Sequence, residues 1–132
     1  MKIKTLLFLI LISLGPFKVL AATDCTQVTE IPQIECNALI AFYNSTDGPN
    51  WRNKTGWNVT NTPCSWYGVF CVSGHVYKIT LSSNRLRGSI PAELGNLSDL
   101  QVLFLRDNQL SGSIPVKLGN LSSLRWLELS NK

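Results

Sequence analysis

The chain has 132 residues, a length that fits one domain, and 45% hydrophobic against 15% charged residues is the balance of an ordinary globular protein. The formal net charge is +4, but three of the 12 cations (Lys2, Lys4 and Lys18) fall in the first 18 residues, leaving nine cations against eight anions. So balanced a remainder, with no basic cluster, argues against nucleic acid as a partner and against an electrostatic membrane patch.

Residues 1–22 begin basic at Lys2 and Lys4, run apolar from Leu6 to Leu14, and reach small residues at Ala21 and Ala22. That is the layout of a secretory signal peptide, and the apolar run is short for a membrane span. The rival reading, an uncleaved anchor, draws on Lys18 close to the cut. Asp24, directly before Cys25, does not fit a lipid-attached cysteine. The expected product is exported, with no stable membrane span: secreted or otherwise extracytoplasmic, and periplasmic if the source is Gram-negative.

Four cysteines in an exported chain point to two disulfides. Gaps of ten residues between Cys25 and Cys36 and six between Cys64 and Cys71 do not match the knuckle spacing of a zinc site. Three connectivities remain open. Cys25–Cys36 with Cys64–Cys71 is preferred, because each closes a short loop within one unit and contributes about 2–3 kcal/mol.

Residues 23–75 read as an N-terminal cap. After an irregular lead-in, the pattern turns helical over about 33–43, with Ile34, Ala38, Ala41 and Phe42 at helical spacing, Leu39 beside them, and Glu35 and Asn37 expected to face away. Pro32 suits a first turn, and Asn44-Ser45 followed by Asp47-Gly48-Pro49 ends the helix. Residues 50–71, NWRNKTGWNVTNTPCSWYGVFC, form a Cys/Trp-rich loop. Its Trp51, Trp57 and Trp66 either stack on a sugar or pack the loop against helix and strand; packing is preferred, since the segment has little else to bury. A strand through Val69, Phe70 and Val72, a turn at Ser73-Gly74 and a strand from Val76 to Leu81 make a hairpin joining cap to repeats.

From residue 76 the chain repeats itself. Residues 76–99 and 100–123 are identical at 12 of 24 aligned positions, enough to mark an internal repeat, and residues 124–132 begin it a third time. Apolar residues at offsets 1, 4, 6 and 11 with Asn at offset 9 make the leucine-rich-repeat pattern. The expected fold is an α/β solenoid: a right-handed coil with parallel strands on its concave face, capped by a helix and a disulfide-bonded, Trp-rich hairpin. Alternation sends Ile79, Leu81, Leu103, Leu105, Leu127 and Leu129 inward. Ile90, Ile114, Leu94, Leu118, Leu97 and Leu121 fill the coil, and Asn84 and Asn108 satisfy buried backbone groups where the chain leaves the strand. The outward candidates for ligand contact are Lys78, Thr80, Val102, Phe104, Arg106, Asp107, Trp126 and Glu128. Phe104 and Trp126 stand out as an expected aromatic patch beside Arg106, unless further repeats, a partner or the cap cover them.

The runs ECNALIAFYNSTDGPNWRNKTGWN, PCSWYGVFC and GHVYKITLSSNRLRGSIP together resemble the N-terminal cap and first repeat of plant-type leucine-rich-repeat proteins. The box is present as Cys64, Trp66, Gly68, Val69 and Cys71, with Trp66 and Gly68 structural, and the resemblance covers about residues 34–132. The Cys25/Cys36 pair departs from the simplest caps of that kind. The resemblance implies an exported, non-enzymatic recognition module that binds a protein or peptide through the strand face. The alternatives are an N-terminal fragment of a longer receptor or adhesin, and a glycan or cell-wall binder using Trp51, Trp57 or Trp126. Enzymatic chemistry finds little support: His75 is the single histidine, expected solvated in a turn, and neither Gly-x-Ser-x-Gly nor His-Glu-x-x-His occurs. Glu93 and Asp99 fall on the outer arc, where no concavity is expected. No cofactor or metal is called for. Asn44, Asn53, Asn58, Asn96 and Asn120 each begin an N-glycosylation sequon, relevant in a eukaryotic secretory route.

Overall fold

A computed structural model describes residues 21–130, so the expected signal segment lies outside the described residues except for Ala21 and Ala22. Pro32, which has no N–H to leave unpaired, precedes helix α1 (Gln33–Ser45). The helix runs two residues beyond its expected end and stops where Thr46 returns both its N–H and its hydroxyl to the Phe42 carbonyl. Asp47 then takes left-handed backbone, and Gly48-Pro49 carries the chain away.

The buried face of α1 agrees with the expected one only in part. Ala38, Leu39 and Phe42 face inward as expected, but Glu35, Cys36 and Tyr43 do too, whereas Ile34 is exposed and Ala41 is half-buried. The helix is apolar nearly all round, so spacing alone does not select a side. Two tethers select it: the Cys25–Cys36 bridge and the Glu35 carboxylate. Glu35 is only 2% exposed. One of its oxygens accepts the Val76 N–H at 2.9 Å, and the other lies 2.6 Å from His75 Nδ1. A buried carboxylate is tolerable only when bonded in this way. His75 is therefore no solvated turn residue; it opens a strand and holds the helix to it.

That strand belongs to a sheet of four. β1 (Val69–Val72) pairs antiparallel with β2 (His75–Thr80) across Ser73-Gly74, whose paired positive φ angles of 51° and 78° fit the tight hairpin turn that strand twist favours. β2 is followed by β3 (Arg87–Gly88), β4 (Val102–Phe104), β5 (Gln109–Leu110) and β6 (Trp126–Glu128). The large sheet has the order β1-β2-β4-β6, parallel from β2 onward, and β3 pairs with β5 in a small parallel ladder. Short 3₁₀ turns at Ala92–Asn96 and Val116–Asn120 form the opposite side of each coil, and α1 packs on the first of them.

Between these layers Ile79, Leu81, Leu86, Leu94, Leu97, Leu100, Leu103 and Leu105 are fully buried. Ile114, expected in the coil interior, is instead 57% exposed, and Leu127 is exposed as well. Both lie on the far end of the stack, where no described residue packs over them. At the cap end the three indoles are buried, with Trp57 within 5.0 Å of Trp66 and 4.8 Å of Trp51 between ring centroids. Each indole N–H has an acceptor: Thr46 O, Tyr67 O and Thr60 Oγ1. Trp51 and Trp57 thus offer no platform to a sugar. The second disulfide, Cys64–Cys71, closes the loop around Trp66 and Gly68. Gly68 sits at φ 78° with the Thr80 carbonyl where a Cβ would stand, so only glycine fits there.

The coils are locked together by two side-chain amides. Asn108 Oδ1 accepts the N–H groups of Asn84 and Leu86, and its Nδ2 donates to the carbonyls of Leu81, Leu105 and Arg106. Asn84 does the same toward the cap, with both ends of its amide bonded to the backbone of Asn53. Among the described residues no buried side-chain nitrogen or oxygen lacks a partner. We expect Asn108→Ala to lower the unfolding free energy by about 2–3 kcal/mol, since it strands several buried groups at once. Urea unfolding followed by tryptophan fluorescence measures this, and a loss near zero would contradict the account.

Stability should also depend on pH through His75. The hydrogen bond to Glu35 raises its pKa above the ordinary 6.5, partial burial opposes the shift, and the charges of Glu35 and Asp99 add to it. A raised pKa means a contribution fully present below the ordinary value and lost as pH climbs through the folded-state value. Denaturation of wild type and His75→Gln at about pH 6 and about pH 9 should show the larger gap at the lower pH. An equal gap at both would count against the pair.

Candidate recognition site on the strand face

Residues that alternate outward from the large sheet stand in rows fixed by strand register. Phe70, Lys78, Val102 and Trp126 are successive partners across β1, β2, β4 and β6 and make one row. Thr80, Phe104 and Glu128 make the next. With neighbouring strands about 4.8 Å apart, four strands present a face about 14 Å across. Phe104 and Trp126 share this face but not a row: Phe104 stands opposite Glu128 and Trp126 opposite Val102. They are diagonal neighbours, and the rings make no contact. Trp126 is 56% exposed, whereas Phe104 and Val102 are half-buried.

Phe70 was not among the expected contact residues, yet its exposed ring extends the apolar row onto the cap. The signal was present in strand alternation: Val69 is buried, so the next residue turns outward. Tyr67 and Val72, flanking it on the same hairpin, are exposed too.

The charges on the face are largely spoken for. Lys78 Nζ lies 5.1 Å from the centre of the Phe70 ring, a cation–π distance. Arg106 Nε is 3.3 Å from Asp107 Oδ2, and its Nη1 is 3.5 Å from Glu128 Oε2. The Asp107 carboxylate first, then Glu128, pushes the guanidinium pKa above its usual value. Asp107 itself takes left-handed backbone at φ 58°, where the chain leaves the strand. Thr80 is half-buried, its N–H held by the Gly68 carbonyl at 2.8 Å.

Chemically, this is a largely apolar strip, interrupted by Lys78 and bordered by the ion pairs that Arg106 makes with Asp107 and Glu128. Its histidine is engaged by Glu35 away from the face, and among the described residues no group of three or more His, Cys, Asp or Glu is placed to hold a metal ion. No described helix is long and apolar enough to cross a membrane. What the arrangement can do is exclude water against apolar and aromatic groups of a partner, with the ion pairs as a polar rim.

Comparison with known proteins agrees with this architecture. Residues 34–72 match the leucine rich repeat N-terminal domain family, and residues 74–132 match the leucine rich repeat family. Over 73 residues, 54% of the chain, the sequence is 38% identical to the leucine-rich repeat receptor protein kinase EMS1 of Arabidopsis thaliana. The fold is similar to the BIR2 ectodomain of Arabidopsis thaliana, with a TM-score of 0.63 at 32% identity over 84% of the chain. It is also similar to the ectodomain of the Arabidopsis thaliana receptor kinase SOBIR1, with a TM-score of 0.60 at 28% identity over 76%. The chain spans 6% of the length of EMS1, and 56% and 54% of the two ectodomain structures.

Proposed function

Because the chain belongs to the plant-type leucine-rich-repeat family, a cap domain followed by repeats, we propose that it is an exported, non-enzymatic module that recognises a protein or peptide through its strand face. One observation carries this reading. The exposed Phe70 and Trp126 lie at the two ends of one row across four strands, with Lys78 and Val102 between them and Phe104 beside. Lys78 sits over the Phe70 ring, and Arg106 is paired with Asp107 and Glu128. Such a face gains little from a highly charged ligand and much from covering apolar surface. The similarity to receptor-kinase ectodomains and the two disulfides support an extracytoplasmic setting.

A second reading, an N-terminal part of a longer receptor, is favoured by the small share of EMS1 that the chain spans. The apolar hollow of about 170 Å³ lined by Ile90, Leu110, Ile114 and Leu129 also favours it, since another coil would fill it. Transcript sequence beyond codon 132 separates the two readings.

The contact surface is tested by Phe104→Ala combined with Trp126→Ala. We expect the pair to weaken binding of any protein partner captured on a protein array by at least about tenfold, about 1.4 kcal/mol, with unfolding midpoint little changed. Undiminished binding would place the interface elsewhere, and selective capture on a glycan array through Trp126 would favour the carbohydrate reading.

A further inference from the structure

Beside the strand face, the cap loop and the first two coils border an open polar cleft in two adjoining parts. One part, about 310 Å³, is lined by Asp47, Asn50, Arg85, Arg87 and Gln109. The adjoining part, about 350 Å³, adds Arg52, Ser83, Asp107 and Asn108 and shares Arg85 and Gln109 as its wall. Arg87 lines the first part, Arg52 the second and Arg85 both, so three arginines border the cleft in a chain whose charges otherwise nearly cancel. Among the described residues none of Arg52, Arg85 and Arg87 forms an ion pair. Two carboxylates line the cleft as well, and both are engaged: Asp47 accepts the Asn50 amide at 2.9 Å, and Asp107 pairs with Arg106.

The walls of this cleft are rigid. The Arg52 N–H donates to Asn84 O, the Arg87 N–H to Thr46 O and the Gln109 N–H to Leu86 O, so each flanking backbone is stitched to its neighbour. Arg85 is held at φ 64°, a region that a long side chain disfavours, whereas the corresponding residue of the next coil, Gln109, lies in an ordinary strand. The arginines thus stand on fixed supports, with only their side chains to be ordered on binding.

We infer that this cleft is a second binding site, adjoining the strand face at Asp107, and that it takes an acidic oligosaccharide whose carboxylate or sulfate groups are gripped by Arg52, Arg85 and Arg87. Guanidinium forks match planar carboxylates and sulfate oxygens in bidentate fashion. The remaining lining, Asn50, Ser83, Asn108 and Gln109, supplies amides and a hydroxyl suited to sugar hydroxyls. No apolar side chain lines either part, which disfavours a peptide needing anchor pockets. An open, hydrated polyanion fits the wide, shallow form better than a compact ligand does.

Calorimetric titration of the oxidised, disulfide-bonded protein tests the assignment, using a uronic-acid oligosaccharide, a sulfated oligosaccharide and a neutral oligosaccharide of equal length, with oligoglutamate of equal charge alongside. The expected result is binding of one or both acidic sugars, at least tenfold weaker binding of the neutral sugar and of oligoglutamate, and weakening as salt is raised. Arg85→Gln with Arg87→Gln should lower the affinity for the acidic sugar at least tenfold, while Phe104→Ala with Trp126→Ala leaves it unchanged. Which acidic sugar binds identifies carboxylate or sulfate as the recognised group. Equal binding of oligoglutamate, equal binding of the neutral sugar, or indifference to the arginine pair would each overturn the proposal. Circular dichroism and the unfolding midpoint of the arginine variant show whether its fold is intact; should it be lost, Arg52→Gln, on the exposed cap loop, repeats the test with the same threshold.

Discussion

The side-chain amide of Asn108 makes five hydrogen bonds, all to main-chain groups, and the spacing of the whole stack depends on it. Where the chain leaves a strand, its N–H and C=O groups turn away from the sheet and face the neighbouring coil. Without a partner each would sit unpaired in an apolar interior. A primary amide offers an acceptor and two donors at fixed geometry, so one residue per coil serves groups on two coils. The register of β2 on β4 and the depth at which Leu81 and Leu105 insert follow from that alignment. Asn84 extends it into the cap loop through Asn53, which is why the cap and repeats form one framework and not two units in contact.

On that framework the surface chemistry divides. Along the strand face each cation has a counterpart: Lys78 an aromatic ring, Arg106 two carboxylates. What remains free to interact is apolar. At the corner past the strands, arginines from the cap loop and first coil line one cleft, and among the described residues no carboxylate pairs with them. The two regions lie side by side but differ in the kind of ligand that would lose least by giving up water. An apolar strip rewards coverage over area, whereas guanidinium groups need charge and geometry together.

Much of this was legible in the sequence, and the limits have physical causes. The repeat period, the inward Ile79, Leu81, Leu103 and Leu105, and the coil-turn asparagines could be read, because each reflects a constraint imposed locally and again one coil later. Both cysteine pairs could be read from their short local spacing. The buried face of α1 could be read only in part. Spacing placed Ala38, Leu39 and Phe42 inward. Ile34 and Ala41 have the right spacing too, while Cys36 and Tyr43 are as apolar, and the choice between them rests on Glu35 meeting His75 and Val76, 40 and 41 positions away. A buried carboxylate looks like a solvent-facing one until its partners are known. Ile114 was misjudged for a related reason: its spacing specifies the coil interior, but burial also needs a neighbour on the far side. For the site, alternation placed Lys78, Thr80, Val102, Phe104, Trp126 and Glu128 on one face. It did not show that Phe104 and Trp126 stand diagonally, because that depends on which residues pair across strands.

The asparagine bonds have a direction. Asn84 reaches back to the cap and Asn108 reaches back to Asn84, Leu86 and Leu81, each toward residues made earlier on the ribosome. The two disulfides, the helix and the indole cluster all come from residues up to Cys71. The helix's second tether, at His75 and Val76, follows within five residues, so the cap can close while only the first repeat strand has emerged. Every later coil then meets a finished surface bearing the groups that its own amide must satisfy. The geometry is thus compatible with folding in the order of synthesis, each turn adding to a surface already formed.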